Sequence, residues 1–197
     1  MSFPGRLIKF ASFDVTSQVF HVTKHSFAIV NLKPLLPGHI LVSPLRVKPH
    51  LSDLTNDEIS DLFNTVTRVE RTLRRVYQSE AFNVAVQDGE AAGQSVPHVH
   101  CHVIPRTQGD PGGDDKVHEW LEGEEGNVGE HQEQAKRKAG KWAQDEARKP
   151  RTKEEMVQEA KWLREEMQKD DEEPRTVAKE AGIDEDDQAL RYMEKYH

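Results

Sequence analysis

At 197 residues, the chain is long enough for one domain with a substantial core and cramped for two. A formal charge of -8 argues against broad electrostatic binding to nucleic acid or an anionic membrane and leaves room only for a local cationic site. The single cysteine, Cys101, excludes an intrachain disulfide and any metal site built on several thiolates. The longest apolar stretches are strand-sized, and Met1-Ser2-Phe3-Pro4-Gly5-Arg6 lacks the basic-then-apolar pattern of a secretory signal. A soluble, cytoplasmic protein is expected, with nuclear entry left open and no membrane or nucleic-acid partner.

Residues 17–31 hold two short runs of β-branched and aromatic residues around a polar Thr23-Lys24-His25, the pattern of a hairpin. His39-Ile40-Leu41-Val42-Ser43 reads as a third strand closed by Pro44, which cannot donate to a ladder. Thr55-Asn56-Asp57-Glu58 has the form of a capping box. Ile59, Leu62, Phe63, Val66, Val69, Leu73 and Val76 then recur every three or four residues, which predicts a long helix. Its other side carries Arg68, Arg71, Arg74 and Arg75, read as a solvated face, with a phosphate or partner contact as the alternative. Ala81 to Gln87 alternates as a strand, and Asp88-Gly89 turns it.

Val96-Pro97-His98-Val99-His100-Cys101-His102-Val103-Ile104-Pro105 reads as a further strand bounded by prolines, with histidines at two-residue spacing. From Thr107 to Pro150, Gly, Asp, Glu, Lys and Gln dominate, and a mobile insertion is expected because little apolar surface offsets the entropy of ordering. Thr152-Lys153-Glu154-Glu155 repeats the capping box and leads into Met156, Ala160, Leu163 and Met167 on one stripe, with Trp162 beside it, a helix that can dock on the core. The chain thus divides into a core over 1–108, a charged insertion over 109–150, a docking helix over 151–169 and an acidic tail over 170–197 whose order the sequence leaves open.

A lone histidine is most often a satisfied core or surface residue, but three on one strand face call for a ligand or a reaction. One reading is a zinc site, since imidazole is its commonest ligand. Against it, the same face supplies no Asp, Glu or Cys, although Asp88 or His39 could join from elsewhere. The other reading is nucleophilic catalysis, in which a neutral imidazole attacks phosphorus and a covalent phosphoramidate splits one hard displacement into two. Gly93-Gln94-Ser95-Val96, just before the histidines, offers main-chain N–H groups, an amide and a hydroxyl to phosphate, and also reads as a plain connector.

His98-Val99-His100-Cys101-His102-Val103-Ile104 resembles the signature of the histidine-triad family, His-φ-His-φ-His-φ-φ with φ apolar. Gln87-Asp88-Gly89, Gly93-Gln94-Ser95-Val96 and Pro105-Arg106 resemble its fragile histidine triad branch, the dinucleoside triphosphate hydrolases, as do Asn31-Leu32-Lys33-Pro34 and Pro37-Gly38-His39. The resemblance spans roughly 1–108 and 150–169. It implies an α+β fold: a five-stranded antiparallel sheet with a long helix and a C-terminal helix, in a homodimer whose sheets join into one extended surface. The implied substrate is a dinucleoside polyphosphate, diadenosine triphosphate cleaved to AMP and ADP, accompanied by magnesium or manganese on the substrate phosphates, with no organic cofactor.

By the same resemblance His100 is the nucleophile that carries AMP, His102 stabilises the leaving oxygen, and His98 supports the site together with His39. Asn31 corresponds to the ribose-binding asparagine, Gln87 to a substrate contact, and Gly93, Gln94, Ser95 and Val96 to the loop around the phosphates. Phe10, Ile29 and Leu41 are candidates for adenine recognition that also read as core. Two competing expectations remain: a nucleoside phosphoramidase of the same family, and a nucleotide-sensing module whose slow turnover preserves a ligand-bound signal.

Overall fold

The computed structural model describes residues 7–111, 116–117, 121 and 150–172. Most of the expected 109–150 insertion and the tail beyond 172 lie outside the described residues. The chain opens with β1 (Lys9–Phe10) and β2 (Phe13–Asp14), a small antiparallel hairpin that the sequence does not announce, because two-residue strands show no alternation. The predicted hairpin forms as β3 (Val19–Val22) and β4 (Ser26–Val30), antiparallel, with a register shift between Val19 and His21. β5 (Ile40–Pro44), β6 (Ala81–Val86) and β7 (Cys101–Arg106) complete a five-stranded antiparallel sheet of order β3-β4-β5-β7-β6.

The middle of the sheet is buried on both faces, so β4 and β5 are buried throughout and mostly apolar instead of alternating. Ala28, Val30, Ile40, Val42, Val99, Cys101 and Val103 point to one side, against Leu62, Val66, Val69 and Leu73 of α1 (Asn56–Tyr77). Phe27, Ile29 and Leu41 point to the other, where Ile8, Phe10 and Val96 cover them. The capping box of α1 is made: the Thr55 hydroxyl accepts from the Glu58 N–H, and the Glu58 carboxylate accepts from the Thr55 N–H at 2.8 Å. Phe63, placed in the apolar stripe by spacing, is instead 42% exposed, on the margin of the buried face.

The second helix, α2 (Lys153–Glu172), buries Met156, Ala160, Leu163 and Met167 against the same core, as the stripe predicted. Two expectations are corrected here. The acidic tail does not begin at Asp170, because Asp170 and Asp171 continue the helix. Nor is the arginine face of α1 simply solvated. Arg75 donates to Glu166 and to Asp170, each at 2.7 Å, Thr72 donates to Asp170 at 2.5 Å, and Arg68 pairs with Asp171. The sequence could not pair these charges, since they lie about a hundred residues apart. Arg71 remains exposed. Within the expected insertion, Val117 and Leu121 are buried against Leu35, Leu36 and Ile104. Among the described residues no helix is long and apolar enough to cross a membrane.

Arg75 is one-third exposed while Glu166 and Asp170 are largely covered, so removing the guanidinium leaves Glu166 with Lys169 and Asp170 with Thr72 as their remaining side-chain donors. Arg75→Ala is therefore expected to lower stability by about 2 kcal/mol, read by urea unfolding. Glu166→Gln, which keeps an acceptor, should cost less; equal losses would mean that shape rather than charge docks α2.

Candidate active site

The strand predicted from Val96 to Pro105 begins only at Cys101 and runs through Pro105 to Arg106. Pro97 has no N–H to give, and the His98 N–H turns back onto the Val96 carbonyl at 2.7 Å, so pairing with β5 starts at Val42 and Cys101. Upstream, the chain is held extended by other means: the Val99 N–H donates to the Lys48 carbonyl and the Ser43 hydroxyl donates to the Val99 carbonyl, both at 2.7 Å. Pro105 lies past the last residue paired with β5, where a missing N–H is tolerated. The two-residue alternation survives the change. Val99, Cys101 and Val103 face α1, and the three histidines share the opposite side, all fully buried.

The groups around each ring fix its tautomer. The Ala11 N–H donates to His98 Nδ1 at 3.0 Å, so the proton sits on Nε2, which donates to the Pro44 carbonyl at 2.8 Å. His100 Nδ1 donates to the His98 carbonyl at 2.8 Å, leaving Nε2 with a free lone pair. The Leu35 N–H donates to His39 Nδ1 at 3.0 Å, which puts the His39 proton on Nε2. That proton goes to His102 Nδ1 at 3.0 Å, so His102 carries its own on Nε2. The Nε2 atoms of His100 and His102 are buried and have no hydrogen-bond partner among the described residues. One is a base and the other a donor, with ring centroids 5.0 Å apart.

His98 was expected in one network with His39. It is not: His39 pairs with His102, while His98 is tied to main chain and to Phe10, whose ring stacks on it at 5.3 Å and meets His100 edge-on at 5.3 Å. With both His98 nitrogens committed, the triad does not offer three nitrogens to one ion. No cluster of three or more His, Cys, Asp or Glu side chains among the described residues could hold a metal.

Burial dominates the titration of all three rings. It lowers His98 from 6.5 to about 4, with the neighbouring His100 adding to the effect. It lowers His100 against the opposing hydrogen bond to the His98 carbonyl, and it holds His102 well below the ordinary value, helped by His100 and His39. Neutral imidazoles at neutral pH follow.

Of the other expected residues, Asn31 meets His39, whereas the 93–95 loop lines a cavity whose walls include none of the three triad histidines. Asn31 is buried, its Oδ1 accepting from the Lys33 N–H at 3.1 Å and its Nδ2 lying 3.2 Å from His39 Nε2. Gln87 donates to the Leu121 carbonyl at 2.5 Å, and its Oε1 has no partner. Gly93 is required: its φ is +86°, and a Cβ there would stand 2.6 Å from Gln87 Nε2. Gln94, expected to offer its amide to phosphate, is committed to the loop, accepting from the Gly89 N–H at 3.0 Å and donating to the Pro49 carbonyl at 2.8 Å. Val96 is core, and its carbonyl accepts from the His98 N–H.

Gly93, Gln94 and Ser95 line one cavity of about 520 Å³, together with His50 and Pro97. Phe10, Ile29 and Leu41 line another of about 90 Å³ and belong to the buried core on this side of the sheet, as the core reading expected. Sequence reasoning missed Ala11 and His50. His50, whose Nδ1 lies 3.1 Å from Asp88 Oδ1, carries no motif of its own. The one sign of Ala11 is its φ of 50°, visible only once the turn is built.

A family model described as the HIT domain matches residues 12–109. The asymmetrical bis(5'-nucleosyl)-tetraphosphatase of Schizosaccharomyces pombe is 46% identical over 168 residues, covering 79% of this chain and 91% of that protein. The bis(5'-adenosyl)-triphosphatase of Saccharomyces cerevisiae is 48% identical over 117 residues, 57% of each chain, so the match spans little more than half of that relative. Among solved structures, the nitrilase and fragile histidine triad fusion protein NitFhit of Caenorhabditis elegans aligns with TM-score 0.59 and 34% identity, over 81% of this chain and 30% of that one. The diadenosine triphosphate hydrolase of Plasmodium falciparum aligns with TM-score 0.61 and 29% identity, over 82% and 84%. Sequence, topology and the buried histidine row agree: the chain belongs to the histidine-triad (HIT) family, in its fragile histidine triad branch.

Proposed function

We propose that the protein hydrolyses dinucleoside polyphosphates, cleaving diadenosine triphosphate to AMP and ADP through a transient AMP on His100. The observation that carries this reading is the pair of buried, unpartnered nitrogens: a lone pair on His100 Nε2 beside a proton on His102 Nε2. A polar atom left unpaired in a core costs free energy, about 1–3 kcal/mol each, and such a pair persists where a ligand completes it. The relatives' names support the substrate class, and the tri- and tetraphosphate forms ask for the same attack on the terminal phosphorus, differing only in the leaving group.

His100 Nε2 attacks the α-phosphorus, forming the N–P bond as the P–O bond to the bridging oxygen breaks. His102 Nε2–H donates to that oxygen as charge develops on it, and ADP leaves. Water then attacks the phosphoramidate, returning the lone pair to His100 and releasing AMP. The His98 carbonyl, holding His100 Nδ1–H, keeps the attacking nitrogen free and stabilises the ring as it becomes cationic. A magnesium or manganese ion, when bound with the substrate, would neutralise charge on the phosphate oxygens.

The homodimer is read onto β6. The other edge strand, β3, is blunted by Arg164, which donates to the Val19 carbonyl at 2.5 Å. β6 presents an edge with no neighbour strand among the described residues and a 42% exposed Val84. Sedimentation should find a dimer for wild type and a smaller species for Val84→Lys; a monomeric wild type would sink this assembly.

Incubated with diadenosine triphosphate and magnesium, wild type should release AMP and ADP in equal amounts, and His100→Ala should lose at least about a thousandfold in kcat. Equal turnover by both would remove His100 as nucleophile. No turnover by either, with turnover of an adenosine phosphoramidate, would transfer the reading to the phosphoramidase.

Because burial lowers His100, the acid limb of kcat should lie below 6.5, the ordinary imidazole value. A limb at or above 6.5 would contradict a buried nucleophile. Stability follows the same direction. Unfolded His98 takes a proton near 6.5 and the folded ring resists until about 4, so acid favours the unfolded chain. Stability should be full above 6.5 and fall as pH drops toward 4, by roughly 3 kcal/mol from His98 alone. A melting temperature that is flat across that window would refute it.

A further inference from the structure

Arg151 lies just before α2, far in sequence from every motif of the site, yet its side chain reaches the segment that carries Asn31. Its Nε donates to the Asn31 carbonyl at 3.0 Å, and Nη2 donates to the same oxygen. Its main-chain N–H donates to the neighbouring Leu32 carbonyl at 3.0 Å. The third guanidinium nitrogen, Nη1, is paired with Glu159 in the second turn of α2, and the Tyr77 hydroxyl of α1 donates to the other Glu159 oxygen at 3.2 Å. Arg151 and Glu159 are each about one-fifth exposed, so water competes weakly for these bonds.

This places a rigid fork on one carbonyl. A guanidinium presents its donors in a fixed plane, so two bonds to a single oxygen set the direction of that peptide and not merely its distance. Asn31 then has little freedom: its carbonyl is gripped by Arg151, and its side-chain oxygen is held by the Lys33 N–H. Its Nδ2 packs on His39 Nε2 at 3.2 Å; both atoms carry protons in this arrangement, so the contact is steric and not a hydrogen bond, and it limits where the ring that donates to His102 can sit. A shift at Asn31 is felt by the proton donor of the triad.

We propose that Arg151 is a positioning residue for adenylyl transfer, acting through Asn31 on the His39–His102 pair, so that the start of the C-terminal helix is part of the active-site scaffold. The kinetic part of this inference rests on the hydrolase reading above; the geometric part does not. Misplacement of a reacting group by a fraction of an ångström costs rate out of proportion to its distance from the chemistry.

The test compares wild type, Arg151→Met, Arg151→Lys, Asn31→Ala and the Arg151→Met/Asn31→Ala double variant, with diadenosine triphosphate and magnesium. Arg151→Met should lose roughly ten- to a hundredfold in kcat/KM, and Arg151→Lys should recover part of it through one surviving donor. Because the path runs through Asn31, the double variant should be no slower than Asn31→Ala alone. Losses that multiply, or an Arg151→Met enzyme with wild-type kinetics, would overturn the proposal. If Arg151→Met does not fold, Glu159→Gln, which loosens the guanidinium without removing it, takes its place with the same requirement.

Imidazole nitrogen NMR of the free protein supplies a second measurement that does not depend on turnover. Arg151→Met should move the His39 and His102 signals and leave those of His98, which is tied to Ala11 and Pro44, in place. Unmoved His39 and His102 signals refute the inference whether or not wild type is active. Moved signals in a protein that turns over no dinucleotide would keep Arg151's positioning role and discard the hydrolase reading instead.

Discussion

One main-chain bond, from the Leu35 N–H to His39 Nδ1, sets the sense of the hydrogen bonds that end at His102. An imidazole has one proton to place, so an amide donor on one nitrogen forces it to the other, and each ring passes the constraint on. Without that bond the His39 proton could sit on Nδ1, His102 would then carry its own on Nδ1 and donate to His39 Nε2, and His100 and His102 would both turn lone pairs toward the proposed phosphate. The segment between β4 and β5 that carries Leu35 is thus as much a part of the chemistry as the histidine row. His39 and Leu35 are brought together by a loop in which the His39 N–H donates to the Leu36 carbonyl at 3.1 Å. At Gly38, φ is +77° and a Cβ would stand 2.6 Å from the Tyr77 ring.

The rings stay neutral because the fold buries them, and the two helices are what make the other face of the sheet stable enough to allow it. The face carrying the triad is built around imidazoles and a few aromatics and aliphatics, whereas Leu62, Val66, Val69, Leu73, Ala160 and Leu163 back it with a continuous apolar layer. Burying an apolar side chain of this size contributes about 1.5–3 kcal/mol, so the helical layer can offset unpaired ring nitrogens across the sheet. The docking of α2 then serves two ends, covering the core with its apolar stripe and delivering Arg151 to the Asn31 carbonyl.

Much of this was legible in the sequence. The capping boxes at Thr55 and Thr152 start their helices where expected, and the apolar stripes face the core, Phe63 excepted. The two-residue spacing of His98, His100 and His102 survives even though only His102 lies in regular strand. That spacing encodes which side of the chain each ring takes, and extended backbone preserves it without a ladder. What could not be read was anything that depends on long-range pairing: Arg75 finding Glu166 and Asp170, His39 choosing His102 over His98, and Gln94 spending its amide on Pro49. A local pattern states what a residue can donate or accept. The fold alone states to whom.

The electrostatic character of the site follows from the same economy. The proposed triphosphate substrate would bring several negative charges to a chain of formal charge -8, and the described groups that meet His100 here are neutral: an aromatic edge, a neutral imidazole and a main-chain carbonyl behind the ring. A permanently cationic His100 would bind the phosphates and be unable to attack them. In the proposed mechanism a neutral one would gain its charge only as the N–P bond forms, at the moment when the His98 carbonyl dipole would stabilise it and the leaving oxygen would need the His102 proton. Interactions that strengthen only in that state lower the barrier instead of deepening the ground state. On this view the depressed pKa values of the triad are the means by which one buried row of rings distinguishes the transition state from the substrate.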